Sequence, residues 1–364
     1  MMRIRGKLFT SYYLNMSDVT FPYEWSLGDG YPTKGVEKHG LKVFGTFICG
    51  GGSSMGYKLA GYDHLGGVEL DVPVAGVYKR NHHPKYLFVE DIRKFNERTD
   101  LPEELYNLDI LDGSPPCSTF SMAGEREKAW GKEKRFKEGQ ALQRLDDLVF
   151  VYIETIKKLQ PKVAILENVK GIVLGNARAY AKEMIKAIDM AGYDVQVFQL
   201  NAASMGVPQK RERVFFICRR RDLGFPKLCL SFNEPVILFR EIIDRTDQSC
   251  NLTEYQKHLW NNRVKKDTSF GDIIDRLEHR LSMFSNPIIH SDDAAPTLTS
   301  GAGVIALYDI PRGLNRKEAC LVGSYPLDYN FSDVRHEYLI GMSVPPVMIA
   351  RISHEIYRQW FKKL

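Results

Sequence analysis

The sequence predicts an α/β fold built on a doubly wound, mostly parallel sheet, and three observations support this prediction. Between residues 41 and 218, short apolar runs alternate with segments of helical periodicity, as in successive βαβ units. Three glycines interrupt the chain directly after the first apolar run and precede a helical segment. Apolar residues at three- and four-residue spacing over 142–159 predict a helix with one face on a core, which Pro161 ends.

Each strand is predicted from a short apolar run bounded by polar, glycine or proline residues. The segments are 41–49, 66–71, 85–91, 108–113, 162–168, 193–201 and 213–218. A helix is expected over 53–61, directly behind the glycines. Near the end of the chain, Met348, Ile352, Ile356 and Trp360 recur every four residues after two prolines, which predicts a terminal helix packed on the α/β domain.

The chain of 364 residues is longer than one hydrophobic core usually organises, so a large domain with a smaller one is expected. Residues 41–218 form the predicted α/β domain. Residues 219–293 lack the alternation of strand and helix and are interpreted as an inserted small domain. Residues 294–364 return to the large domain, and residues 1–40, rich in Tyr, Gly and Pro, form an N-terminal extension with no predicted role.

Composition indicates a cytoplasmic globular protein without a membrane anchor. The chain is 44% hydrophobic and 26% charged, and no apolar run approaches the roughly 20 residues that span a bilayer. The net charge of +5 permits a nucleic-acid partner without requiring one. Six scattered cysteines without CxxC spacing favour reduced thiols and no zinc site. The adjacent His82 and His83 are more consistent with a polar helix end than with metal ligands.

The glycine turn at 50–52 predicts a nucleoside-type cofactor. Glycines let a backbone approach a ligand closely, and the helix behind them offers unpaired N–H groups. Glu69 and Asp91 follow the next two strands, at the sheet edge where such folds bind ligands. The lysine of a nucleoside triphosphate loop is absent from this stretch. These residues are compatible with either a nicotinamide dinucleotide or S-adenosylmethionine as the cofactor.

A second candidate site surrounds Cys117, which follows the strand at 108–113 after Ser-Pro-Pro. The two prolines restrict the backbone and hold the thiol in one direction, although a structural turn explains the isolated segment almost as well. Glu167 and Asn168 end another strand on the same sheet edge. Arg211 and Arg213 stand two residues apart, so in an extended segment they project to one face. Together these groups suit a nucleophile with polar partners.

Seven short motifs, in this order, resemble those of the DNA (cytosine-5) methyltransferase family. They are FICGGGSSMG, GSPPCSTFS, LENVKG, QKRER, APTLTSG, LNRKEACLVGSYPLDY and GMSVPP. The similarity extends over residues 41–360 and leaves out 1–40 and 219–293. It implies a Rossmann-like methyltransferase domain that uses S-adenosylmethionine, with S-adenosylhomocysteine as product and no metal.

The resemblance also implies catalytic roles. Cys117 attacks C6 of a cytosine and thereby activates C5 toward the methyl group. Glu167 assists at N3 and Asn168 positions it. Arg211 and Arg213 hold the base O2, the adjoining backbone and the Glu167 carboxylate.

By the same resemblance, a set of residues around the glycine turn contacts the cofactor. The set is Phe47, Gly51, Gly52, Glu69, Asp91, Ile92, Pro116, Ser343 and Val344. Three positions depart from the family pattern: Cys49 replaces a glycine, Met342 an asparagine and Ser118 a frequent glutamine. The first two leave the shape of the cofactor pocket open.

The implied partner is double-stranded DNA, from which the target base must be extruded. The lysine- and arginine-rich segment 121–139 is interpreted as a loop that closes on the DNA, and the insert at 219–293 as the reader of base edges. The protein is expected to be monomeric, possibly accompanied by a restriction endonuclease. A transfer-RNA cytosine methyltransferase is the nearest alternative, but the Cys-Phe-Thr element usual in its insert is absent from the sequence. A catalytically decayed DNA-binding relative is the second alternative, and a nicotinamide-dependent dehydrogenase is the weakest.

Overall fold

The computed structural model describes residues 19–32, 34–116, 148–174, 177–249, 251–280, 286–301 and 303–363. The predicted nucleophile Cys117, its neighbour Ser118 and the segment 121–139 therefore lie outside the described residues.

Strands and helices alternate over the first two thirds of the described chain. The strands are β1 (Lys42–Thr46), β2 (Asp63–Glu69), β3 (Tyr86–Val89), β4 (Ile110–Gly113), β5 (Val163–Val169), β6 (Tyr193–Asn201), β7 (Gln209–Lys210), β8 (Glu212–Arg220), β9 (Ile288–Ile289), β10 (Ala295–Pro296) and β11 (Ala306–Leu307). The α-helices are α1 (Gly52–Leu59), α2 (Val72–His82), α3 (Ile92–Glu97), α4 (Leu148–Leu159), α5 (Ala177–Met190), α6 (Glu254–Asn261), α7 (Phe270–Glu278), α8 (Arg316–Val322), α9 (His336–Met342) and α10 (Pro346–Gln359).

Seven strands form one sheet in the order β3-β2-β1-β4-β5-β8-β6. Neighbouring strands from β3 to β5 are parallel, whereas β8 runs antiparallel to both β5 and β6. The predicted α/β class with a mostly parallel sheet is confirmed. The strand order reverses direction between β1 and β4, and ligands of doubly wound sheets bind outside the carboxyl ends of strands at such a point.

Both faces of the sheet are covered at its centre, which explains why β5 begins with the continuous apolar run Val163–Leu166. In β5, Val163 and Ile165 belong to the apolar core on the side of α1 and α10, whereas Ala164 and Leu166 belong to the core on the side of α4 and α5. The terminal helix is confirmed as α10, and Met348, Ile352 and Ile356 are buried.

A smaller apolar cluster lies apart from these two cores. Its members fall between residues 252 and 308, on α6, α7, β9 and β11. Phe225, Leu228, Phe239 and Ile242, from the first part of the predicted insert, belong instead to the core around α1 and α10. Among the described helices, none combines the length and the apolar character needed to cross a membrane.

Candidate active site

The glycine turn connects β1 to α1 through unusual backbone conformations. Phe47, Cys49 and Gly51 have φ angles of 56°, 46° and 74°, in the left-handed region. At Gly52, which begins α1, an added Cβ would lie 2.2 Å from the carbonyl oxygen of Val344 and 2.9 Å from Cβ of Ser343. A side chain at this position would collide with backbone, so glycine is required for the close approach of the two segments.

Glu69 holds this turn from the end of β2. One of its carboxylate oxygens accepts a hydrogen bond from the Cys49 amide and the other from the Asp71 amide, both at 2.9 Å. Burial raises the pKa of Glu69, although these amide donors act in the opposite direction. The carboxylate therefore lies at the glycine turn, as predicted from its position after the second strand. Its hydrogen bond to the Cys49 amide stabilises the left-handed backbone of that residue.

Two tyrosines of the late segment close the other side of the turn. The Tyr329 hydroxyl donates to the Gly50 carbonyl at 2.6 Å, and the Tyr325 hydroxyl lies 2.6 Å from Oγ of Ser343. Ser343 and Val344 are both buried against the turn. Ser343 and Val344 were predicted from the sequence to contact the cofactor, whereas the two tyrosines were not predicted to take part. The one feature that could have indicated them is their four-residue spacing in SYPLDY.

The remaining residues predicted to contact the cofactor are distributed along the same edge. Ile92 and Leu148 form a small buried cluster against which Phe47 packs. Asp91 caps α3 by accepting the Arg93 amide at 2.8 Å and pairs with its guanidinium. The structure therefore brings Phe47 and Ile92 together into an apolar wall beside the turn.

Glu167, near the end of β5, forms an ion pair with Arg213 in the second candidate site. Its carboxylate Oε1 lies 3.0 Å from Nε of Arg213, and both side chains are largely buried, with exposed fractions of 10% and 14%. The antiparallel pairing of β5 with β8 places Arg213 opposite Val169, two residues beyond Glu167. A buried charge pair of this kind keeps the carboxylate in one orientation.

Arg211 has different partners, although it was predicted to share a face with Arg213. It lies in the break between β7 and β8, and its terminal nitrogens donate to the carbonyls of Leu298 and Gly341, each at 3.0 Å. Arg211 is 2% exposed, and its buried Nε has no hydrogen-bond partner among the described residues. Burial lowers the pKa of Arg211. Arg211 therefore joins two late segments and retains one unused donor.

Asn168 links the two strand ends that the sequence placed side by side. Its Nδ2 donates to the carbonyl of Pro115 at 3.3 Å, two residues before Cys117. Strands β4 and β5 are neighbours in parallel register, so the chain leaves β4 toward Cys117 beside Glu167. The half-buried Pro116 is the last described residue before Cys117.

Asp112 is a buried carboxyl that sequence reasoning treated only as the end of a strand. Its Oδ1 accepts a hydrogen bond from the Tyr57 hydroxyl at 2.9 Å, and the side chain is 5% exposed. Burial raises the pKa of Asp112 to about 7, and the charge of Glu167 acts in the same direction. No local pattern distinguishes such a residue, because its burial depends on α1 covering the sheet.

Of the three departures from the family pattern, Cys49 and Met342 lie among the described residues, and neither is fully buried. Cys49 occupies a left-handed position that favours glycine, and burial raises the pKa of its thiol to about 12. Met342 is 36% exposed at the end of α9. Among the described residues, no three histidine, cysteine, aspartate or glutamate side chains are arranged to hold a metal ion.

Comparison with known proteins agrees with this arrangement. A model of the family described as C-5 cytosine-specific DNA methylase matches residues 41–358. The chain belongs to this family. The prediction of a DNA (cytosine-5) methyltransferase is thereby confirmed at the family level. The match includes both candidate sites and begins one residue before β1.

Two curated relatives of this methylase family are similar over most of their length. The type II methyltransferase M.NgoPII of Neisseria gonorrhoeae is 33% identical over 347 residues, covering 87% of this chain and 95% of its own. The type II methyltransferase M.XorII of Xanthomonas oryzae is also 33% identical, covering 87% and 84%. Among solved structures, a putative DNA modification methyltransferase from an Escherichia coli prophage superposes with a TM-score of 0.62 at 19% identity, covering 88% of this chain and 99% of that one. This last similarity supports the fold.

Proposed function

We propose that this protein transfers a methyl group from S-adenosylmethionine to C5 of a cytosine in double-stranded DNA, with Cys117 as nucleophile. The observation that carries the proposal is the buried Glu167–Arg213 pair on the strand end next to the one that leads to Cys117. Asn168 ties these two strand ends together through Pro115. The acid and its cation thus lie beside the strand end that leads, through Pro115 and Pro116, to the proposed nucleophile.

The proposed chemistry explains why these groups are needed together. C5 of cytosine is a weak nucleophile, and thiolate attack on C6 forms a covalent intermediate in which C5 is electron-rich. Attack places negative charge on the ring, which Glu167 relieves by donating a proton to N3. After C5 takes the methyl group and S-adenosylhomocysteine leaves, loss of the C5 proton and elimination of the Cys117 thiolate would complete the reaction. Arg213 keeps the Glu167 carboxylate oriented. The Nε of Arg211, which has no hydrogen-bond partner among the described residues, is a donor available to the base.

The glycine turn supports the proposed cofactor site. S-adenosylmethionine supplies an electrophilic methyl group on a positively charged sulfur. Phe47 and Ile92 offer an apolar wall for the adenine ring. The amino end of α1 suits the cofactor carboxylate. Glu69 already accepts two amides, but carboxylate oxygens can accept further hydrogen bonds, including those of ribose hydroxyls.

For DNA recognition we propose the unit built on the small apolar cluster between residues 252 and 308, within and just beyond the predicted insert. Between α6 and α7 it carries the basic stretch Arg263, Lys265 and Lys266. The Arg263 guanidinium lies 3.3 Å from the Trp260 ring centroid and 4.8 Å from that of Tyr308. Such a stacked cation gives a rigid surface. Beside it, the exposed Lys265 pairs with Asp292 at 3.2 Å, and the exposed Lys266 is placed to contact phosphates. A companion restriction endonuclease is proposed from the type II relatives.

The decisive experiment compares the unmodified protein with Cys117→Ala. The unmodified protein should methylate duplex DNA with S-adenosylmethionine, and bisulfite sequencing of that DNA should show 5-methylcytosine in one sequence context. Cys117→Ala should lose methylation and retain DNA binding. Cys229→Ala, which changes an exposed cysteine, is the matched control and should remain active.

A second readout tests the covalent step itself. Duplex DNA with 5-fluorocytosine at the target should remain attached to the protein in denaturing electrophoresis, because fluorine on C5 cannot leave as a proton does. Unchanged methylation by Cys117→Ala would refute the proposed mechanism. Methylation of transfer RNA without methylation of duplex DNA would refute the proposed substrate.

A further inference from the structure

The N-terminal segment before β1 lies outside the family match, yet it is packed into the main core. The family model begins at residue 41. Val19, Phe21 and Trp25 are buried, and they belong to the same apolar cluster as α1 and α10. The described part of the extension is therefore integrated into the domain that carries the glycine turn.

The polar contacts of Trp25, Leu27 and Gly28 converge on one turn of the late segment, residues 324–329. Trp25 donates through Nε1 to the Ser324 carbonyl at 3.1 Å, across 299 positions of the chain. The Trp25 carbonyl accepts the Leu327 amide at 2.9 Å. The Asp328 carboxylate accepts the amides of Leu27 and Gly28 at 2.7 and 2.8 Å. Hydrogen bonds to a charged acceptor are stronger than neutral ones, so Asp328 is the main polar anchor.

The clamped turn is also the one that supports the glycine turn. Tyr329 directly follows Asp328 and donates to the Gly50 carbonyl. Tyr325 directly follows Ser324 and lies against both Ser343 and Gly50. Ser324 has a left-handed φ of 52°, a conformation that costs free energy and persists only when its neighbours hold it. Trp25 bonds its carbonyl, and the Val347 amide bonds its hydroxyl.

We propose that residues 19–31 are a clamp that positions the cofactor site, and that Asp328, on the clamped turn, is the positioning residue to which the clamp is bonded. By holding the 324–329 turn, the clamp sets the positions of the Gly50 carbonyl and Ser343. The affinity for S-adenosylmethionine then depends on a segment that the family match does not include. This inference rests on the proposed function of the glycine turn as the cofactor site.

The test separates cofactor affinity from general stability. Asp328→Ala should raise both the dissociation constant and the KM for S-adenosylmethionine about tenfold, the change expected for the loss of one charge-assisted contact. The kcat at saturating cofactor and the KM for DNA should change by less than about twofold. Asp328→Asn retains an oxygen acceptor and should have an intermediate effect. Asp333→Ala removes an exposed aspartate of the same loop and should match the unmodified protein.

Calorimetry and initial rates should be measured on the full chain, well below the melting temperature of each variant. If Asp328→Ala does not fold, Trp25→Phe keeps an aromatic ring in the core, although a smaller one, and removes the Nε1 donor. It should show the same selective rise in KM for the cofactor. The proposed clamp would be refuted by an unchanged dissociation constant for the cofactor in a folded variant. It would also be refuted by equal increases in the KM for the cofactor and the KM for DNA. A lack of cofactor binding by the unmodified protein would instead refute the proposed function, and the clamp with it.

Discussion

Replacing Asp112 with asparagine should make the stability of the fold less dependent on pH. Asp112 is 5% exposed at the end of β4 and accepts a hydrogen bond from Tyr57. Burial raises its pKa to about 7 from an ordinary value of 3.8. Asparagine has nearly the same shape and retains an oxygen for Tyr57, but it does not ionise.

The direction and the size of the change in the free energy of unfolding with pH follow from proton linkage. Between pH 4 and 7 the folded protein retains a proton on Asp112 that the unfolded chain has already lost, so the free energy of unfolding falls as the pH rises. A shift of about three units at about 1.4 kcal/mol per unit corresponds to on the order of 4 kcal/mol in total. Of this, about 2–3 kcal/mol is lost between pH 5 and pH 8.

Urea unfolding at pH 5 and pH 8, followed by circular dichroism, measures this contribution. Asp112→Asn should be less sensitive than the unmodified protein to the change from pH 5 to pH 8, and more stable than it at pH 8. Asp63→Asn alters an exposed aspartate at the start of β2 and should retain the original pH dependence. Equal pH dependence in Asp112→Asn and the unmodified protein would show that the fold does not raise the pKa of Asp112, so that its carboxyl is ionised from pH 5 to pH 8, contrary to the reasoning.

Two further predictions concern close packing and a buried ion pair. Gly52→Ala should abolish detectable binding of S-adenosylmethionine in calorimetry, because its Cβ would lie 2.2 Å from a backbone oxygen. Gly76→Ala should bind normally, because its Cβ would lie 3.7 Å from the flexible end of the Arg80 side chain. Arg312→Met should lower the free energy of unfolding by about 3–5 kcal/mol, since it strands the fully buried carboxylate of Glu318, 2.7 Å away. The double variant Arg312→Met, Glu318→Leu should recover part of that loss in urea unfolding, because it removes the unpaired charge but also the acceptor of the Asp244 and Asn315 amides. No recovery would contradict the explanation.

Much of the fold could be predicted from local sequence because its signals are local. A buried parallel strand is a short apolar run, and an amphipathic helix has apolar residues at three- and four-residue spacing. The predicted strand 193–201 coincides with β6, and α4 ends at Leu159, two residues before Pro161. The glycine turn, Glu69 and Glu167 could be placed at one sheet edge because parallel strands share their carboxyl ends.

Other features depend on which distant segments pair. The antiparallel direction of β8 decides that Arg213 meets Glu167, while Arg211 is turned toward Leu298 and Gly341. From the sequence, the two arginines were expected to project to one face, because they stand two residues apart. That spacing does not reveal that the strand is interrupted at Arg211, between β7 and β8.

The sequence by itself determined the class of fold, the order of its motifs and the residue types available at the sheet edge. Only the tertiary structure decided that Asp112 is buried beneath α1 and that Asp328 anchors the segment before β1. Both are aspartates in ordinary local contexts. Their roles come from partners that are 55 and about 300 positions away along the chain, and no local periodicity encodes such a contact.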